Sequence, residues 1–182
     1  PLMEHSGEVG VTDGERYTVF SLWDTYRNVH QLLTLVYPER QADMVRSMIG
    51  MYGEWGWMPK WELYGRETFT MEGDPAIPVI VDTWMKGLRD FDVATAYEAF
   101  RKSATTPGAQ NRLRPDIDPY VERGYIPLGF YAKDLAGDTS VSHALEYYVA
   151  DHALSLLADS LGHGDDARLF RDRSLGYRHY YD

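Results

Sequence analysis

The stretch LWDTYRNVHQLLTLVYPERQADMVRSMIGMY, residues 22–52, decides the fold. Its first half places Leu22, Val29, Leu32, Leu33 and Val36 near one face at helical spacing. Ser21 precedes that helix as a candidate N-cap, and Pro38 ends it. From Glu39 to Tyr52 the pattern returns through Met44, Met48 and Met51, until Gly53 stops it. Only Pro38-Glu39-Arg40 separates the two, and so short a link makes antiparallel neighbours. The stretch predicts a helical hairpin.

Two further pairs follow the same plan. Asp74 to Leu88 (DPAIPVIVDTWMKGL) predicts a helix with prolines in its opening turns, where a missing amide donor is tolerated. Asp92 is the N-cap of its partner, which runs through Phe100 and Ser103. Ser140 to Leu161 (SVSHALEYYVADHALSLLADSL) is the longest predicted helix, and GHGDD leads from it into ARLFRDRSLGYRHYY. No alternating strand of useful length interrupts these elements, which leaves room only for short strands in the loops. Links within pairs are short, while those between pairs, Gly53 to Gly73 and Thr105 to Thr139, are long. The predicted class is all-α: about three helical hairpins in one partial domain over residues 1–182, roughly half of an (α/α)6 toroid. Such a half-ring exposes an apolar face at each open edge unless another copy or the missing half covers it. The long links fall at one end, with the segment before Ser21, and long ordered loops on a helical scaffold are where sites usually lie.

Bulk properties narrow the function. A formal charge of −10 disfavours nucleic acid, whose phosphates need basic patches. No run of about 18 apolar residues exists to span a membrane. With no cysteine, thiol catalysis, disulfides and thiolate metal sites are excluded. The chain begins at Pro1 without an initiator Met or signal peptide, and is expected to be an excised piece of a longer protein. The 14 Tyr, 6 Phe and 5 Trp either fill a core or line a cleft for sugar rings, whose C–H faces stack on aromatics.

The loop GEWGWMPKWELYGRETF, residues 53–69, is the most unusual stretch. Trp55, Trp57 and Trp61 are interleaved with Lys60, Glu62, Arg66 and Glu67. Indoles alone would anchor the loop in the core, and Lys60 and Glu62 would then simply pair. The mixture also suits a sugar subsite, with a ring to stack on and charged groups for vicinal hydroxyls. Asp24 and Arg27 lie in the first turns of the first helix, at the same rim. They are either a helix-stabilising i, i+3 pair or a carboxylate for two sugar hydroxyls kept ionised by its neighbour. His143 and Glu146 are one turn apart, as metal ligands can be, but the partner residues of a metal-binding bundle are missing and no metal site is assigned.

Five collinear strings carry a resemblance. YTVFSLWDTYRNVHQLLTLVYPER (17–40), GWMPKWELYGRET (56–68), PAIPVIVDTWMKG (75–87), GYIP (124–127) and SVSHALEYYVADHALSLLADSLG (140–162) together resemble glycoside hydrolase family ninety-two. These are calcium-dependent exo-acting α-mannosidases, mostly bacterial. The likeness runs from Tyr17 to Asp182, and residues 1–16 match poorly. It implies inverting hydrolysis of terminal mannose from mannose-terminated oligosaccharides, by a secreted, periplasmic or cell-surface parent protein. The family's acid lies in a Glu-Gly-Asn motif and its base in a Gly-Asn-x-Asp motif; neither string occurs here. No catalytic residue is therefore assigned, calcium ligands are expected outside this chain, and the isolated chain is expected to be inactive without the rest of its domain. Carried over are Trp23, Asp24 and Arg27 of Trp-Asp-Thr-Tyr-Arg, with Asp24 binding mannose hydroxyls, and Lys60, Trp61 and Glu62 of Pro-Lys-Trp-Glu, the adjacent wall. The loop Thr105 to Tyr125 is longer than the family leads one to expect, and would reshape the leaving-group side of the cleft, with a lean to α-1,2 linkages. Two other readings remain: a helical protein-interaction module, and a different (α/α)6 glycosidase.

Overall fold

A computed structural model describes Met3, residues 7–130 and residues 138–181 of the chain. Its contacts gather into two compact units, residues 1–71 with 75–100, and residues 72–74 with 101–182. As expected, the class is all-α, with three very short strands among the described residues.

In the first unit, β1 (Phe20–Ser21) leads directly into α1 (Leu22–Thr25), followed by α2 (Val29–Val36) and α3 (Pro38–Trp55). The single helix expected from Leu22 is thus broken at residues 26–28. Side chains competing for backbone groups explain the break: the Thr25 hydroxyl donates to the Ser21 carbonyl at 3.2 Å, and the Gln31 amide donates to the Tyr26 carbonyl at 2.6 Å. Ser21 is a strand residue and makes no side-chain cap. Pro38 opens α3 at its first turn rather than merely closing the helix before it, and Gly53 lies inside α3. Gly56, in the left-handed region at φ 87°, ends that helix, where a side chain would be strained.

The face of α2 expected to be core is largely open. Val29, Leu32 and Val36 are exposed, whereas His30 and Thr34 are buried. The inward side is instead a polar chain: Thr25 Oγ1 lies 3.0 Å from His30 Nε2, His30 Nδ1 lies 2.9 Å from Gln41 Oε1, and Gln41 donates to Thr83 Oγ1 at 2.9 Å. This chain ties α1, α2 and α3 to α4 (Ala76–Met85). Val45, Met48, Met51, Ile77, Val79 and Ile80 fill the apolar core around it. Asp74 lies outside α4, which starts at Ala76. α5 (Val93–Thr105) starts as expected from Asp92, whose carboxylate accepts from the Thr95 amide at 3.0 Å.

Between Trp55 and Ala76 the chain forms β2 (Trp61–Leu63) and β3 (Arg66–Glu67). They pair antiparallel with β1 in the order β1-β2-β3.

The second unit is built on α7 (Ser140–Ser160) and α8 (Gly164–Ser174), joined by three residues as an antiparallel hairpin. The link expected to be loop from Thr105 to Thr139 contains α6 (Ile117–Arg123), and its residues 131–137 lie outside the described set. Ile117, Tyr120, Ile126, Ala144, Tyr147 and Tyr148 pack as one cluster. Below them, Asp151 accepts from Arg114 at 2.8 Å, from the Tyr120 hydroxyl at 2.8 Å and from Arg173 at 2.5 Å. Arg114 also reaches Asp74 at 3.1 Å. Burial works against the Arg114 charge, but the Asp151 and Asp74 carboxylates outweigh it and hold the guanidinium protonated. Along α7, Val141, Leu145 and Val149 form an exposed stripe at i, i+4 and i+8.

Candidate functional site

Strand pairing brings the sequence-predicted site residues together. Phe20 is opposite Glu62 and Ser21 opposite Trp61. Leu22 donates its amide to the Lys60 carbonyl at 3.2 Å. The segment that starts Trp23, Asp24 and Arg27 is thus held alongside Lys60, Trp61 and Glu62.

Their side chains divide into an outer and an inner set. Asp24 and Arg27 are exposed, and Trp23 and Trp61 are half-buried. The Arg27 guanidinium lies over the Trp23 ring, 4.4 Å from its centroid, and 4.9 Å from that of Tyr26. The Trp23 indole N–H is buried and finds no acceptor among the described residues. A buried donor without a partner is costly, so this N–H is a ready contact for an oxygen brought in from outside.

Glu62 belongs to the inner set, with none of its surface exposed. Its carboxylate accepts from the Thr18 hydroxyl at 2.6 Å, from the Val19 amide at 2.8 Å and from the Gly65 amide at 2.5 Å. Lys60 is buried too, and its charge bears on Glu67. Glu67, cross-strand from Glu62, accepts from the amides of Lys60 at 2.7 Å, Trp61 at 2.9 Å and Phe69 at 2.8 Å. Burial nevertheless leaves its carboxyl above the ordinary glutamate value of 4.5, because those donors and Lys60 only partly offset desolvation.

The three tryptophans of this loop do different work. Trp57 is core, Trp55 meets Phe69 at 6.2 Å between ring centroids, and Trp61 is held beside the Trp23–Asp24 segment through its strand partner Ser21. Thr18 and Val19 lie within the 17–40 string that carries the resemblance, but no role attaches to them from sequence. Val19 takes a left-handed conformation at φ 65°, unusual for a β-branched residue, which no periodicity can signal.

In the second unit, Asp151 is committed to the arginine network and His143 faces Asp116 at 3.5 Å. Among the described residues no group of three or more His, Cys, Asp or Glu side chains is gathered to hold a metal ion. No helix among them is long and apolar enough to cross a membrane.

The model of the glycosyl hydrolase family 92 catalytic domain matches residues 3–182. No curated protein sequence matches the chain. Among solved structures, the chain is similar to the family GH92 inverting mannosidase BT2199 of Bacteroides thetaiotaomicron VPI-5482, at 32% identity and a TM-score of 0.83, covering 95% of this chain and 23% of that one. It is also similar to the family GH92 α-mannosidase BT3965 of Bacteroides thetaiotaomicron, at 37% identity and a TM-score of 0.80, covering 92% of this chain and 21% of that one. The same enzyme in complex with mannoimidazole gives 34% identity and a TM-score of 0.82, with 100% of this chain and 24% of that one covered. The chain therefore spans about a quarter or less of the length of these relatives.

Proposed function

The chain belongs to glycosyl hydrolase family 92, and from that premise we propose that it forms the sugar-binding rim of an exo-acting, inverting α-mannosidase. One observation carries the reading. An exposed carboxylate, Asp24, follows directly on Trp23, whose buried indole N–H lacks an acceptor among the described residues and whose face carries Arg27. Acceptor, donor and cation are what a terminal sugar with vicinal hydroxyls requires. Asp24 accepts from two adjacent hydroxyls of mannose, Trp23 donates to a sugar oxygen, and Arg27, over the Trp23 ring, adds a positive charge to the rim. Trp61 offers a ring face beside them.

In inverting hydrolysis one carboxylic acid protonates the leaving oxygen, and an opposed carboxylate takes a proton from the attacking water. Those groups belong to Glu-Gly-Asn and Gly-Asn-x-Asp motifs that this sequence lacks. The task of these residues is to bind and orient the terminal sugar, so the isolated chain does not hydrolyse mannosides. Calcium, if the complete enzyme holds it, would be bound by residues outside this chain and would supply a positive centre for sugar oxygens. The long Thr105–Tyr125 segment is proposed to shape the leaving-group side and favour α-1,2 linkages. By the same family relationship, the complete protein is proposed to work outside the cytoplasm.

Asp24→Asn in the complete enzyme tests the reading. Two charge-assisted hydrogen bonds at about 1.5–3 kcal/mol each predict a fall in kcat/KM of about 100-fold or more, with an unchanged circular dichroism spectrum. A variant within about twofold of wild type on an α-mannoside overturns it.

A further inference from the structure

We infer that Glu62 is a positioning residue: its buried carboxylate fixes the backbone path that presents Asp24, and it does not itself touch the sugar. The inference rests on the sugar-binding reading of Asp24 and assigns the neighbouring motif a different task within it.

The geometry leaves Glu62 no free face. One oxygen, Oε1, accepts from the Thr18 hydroxyl and the Gly65 amide, and the other, Oε2, accepts from the Val19 amide. None of the residue is exposed. Its own backbone is meanwhile in register with Phe20. Side chain and main chain therefore grip the same few residues, 18–20, from two sides. Between the two grips Val19 takes its left-handed conformation. That conformation is costly for a valine, and a charge-assisted hydrogen bond to its amide favours it. The chain then makes two strand residues and enters α1, where Asp24 is the third residue. On the other side of Glu62, the Gly65 bond closes the β2–β3 turn around Tyr64, which is also left-handed at φ 53°. One carboxylate thus sets both the entry to the Trp23–Asp24 segment and the strand that carries Trp61.

Glutamine cannot replace it. Whichever way the amide is turned, its NH2 meets a backbone N–H, that of Val19 or that of Gly65. The expected result is a displaced Asp24 on an otherwise folded protein.

The test is a double-mutant cycle in the complete enzyme, read as affinity for a mannose-configured competitive inhibitor by calorimetry and as kcat/KM on an α-mannoside. Glu62→Gln is expected to weaken both about tenfold in the wild-type background, and to add no further loss in an Asp24→Asn background. Thr18→Val removes one donor to the same carboxylate and no charge, and is expected to weaken both in the same direction. It carries the cycle if Glu62→Gln does not fold. Equal losses in both backgrounds would mean that Glu62 acts on the sugar directly or only through stability, and would overturn the inference. Wild-type behaviour of Glu62→Gln beside an impaired Asp24→Asn also overturns it, while leaving the sugar-binding reading intact. An Asp24→Asn enzyme with normal kinetics removes that reading, and the positioning role with it.

Discussion

Each of the two units buries carboxylates, and each holds them by different donors. In the first, Glu62 and Glu67 are cross-strand neighbours gripped mainly by main-chain amides. In the second, Asp151 and Asp74 are gripped by side-chain donors: guanidinium groups, the Tyr120 phenol and the Ser103 hydroxyl. The donor decides what the carboxylate organises. An amide-held carboxylate fixes the course of the backbone, as at Val19 and Phe69, both of which have positive φ. An arginine-held carboxylate fixes side chains of separate segments to one another, here α7, α8 and the Arg114 loop. The first arrangement shapes a loop, and the second makes a scaffold.

If that contrast is right, Asp151→Asn has the largest effect on stability. It leaves Arg114 and Arg173 buried without their shared counter-charge, a loss of about 3–5 kcal/mol that a denaturant midpoint would register. Replacing the whole network by apolar residues of similar volume is expected to cost much less, since the charges need one another more than the fold needs them. A midpoint shift of under about 1 kcal/mol for Asp151→Asn would break the comparison.

Glu67→Ala comes next, at about 2–3 kcal/mol, because loop amides regain water more readily than buried guanidinium groups do. Its sharper signature is local. Hydrogen exchange should quicken at the amides of Lys60, Trp61 and Phe69 while amides of α7 keep their protection.

The smallest effect separates the units by pH. Burial holds the His30 imidazole below its ordinary value of 6.5, against the hydrogen bond it donates to Gln41, which raises it. The unfolded chain therefore binds this proton first, and stability is lost as pH falls below about 6.5. Glu67 runs the other way: its raised carboxyl takes up a proton in the folded state first, so it contributes stability as pH falls toward 4.5. For Asp151, burial raises the carboxyl but Arg114 and Arg173 overcome it, so its stabilisation persists until pH drops below 3.8. His30→Asn should flatten the decline below pH 6.5 in a thermal melt series, and Glu67→Gln should steepen it. No change in either slope would remove the pH distinction.

The sequence made the scaffold far more legible than the site. α7 was readable almost to its ends because twenty-one residues run without Gly or Pro, and α5 because Asp92 is a working cap. The apolar period of Leu22–Val36 concealed a break, since hydroxyl and amide side chains that capture backbone carbonyls leave no mark on periodicity. The same period identified an apolar face on α2 without revealing that His30 and Thr34 would be the side turned inward. At the site, family likeness singled out Glu62, but adjacency could not tell a carboxylate facing solvent from one enclosed by Thr18, Val19 and Gly65. That difference depends on a strand register between residues some forty positions apart.

The register also has a consequence in time. Val19 and its acceptor are separated by 43 positions, so a chain emerging from the ribosome has nothing to hold Asp24 in place until residue 62 has followed. At about 5–20 residues per second that interval is roughly 2–9 s, long compared with the formation of a helix. α2 and α3 have time to form before the Trp23–Asp24 segment acquires its course, and a synonymous codon change that slows synthesis between residues 22 and 62 would prolong exposure of that segment without altering a single amino acid.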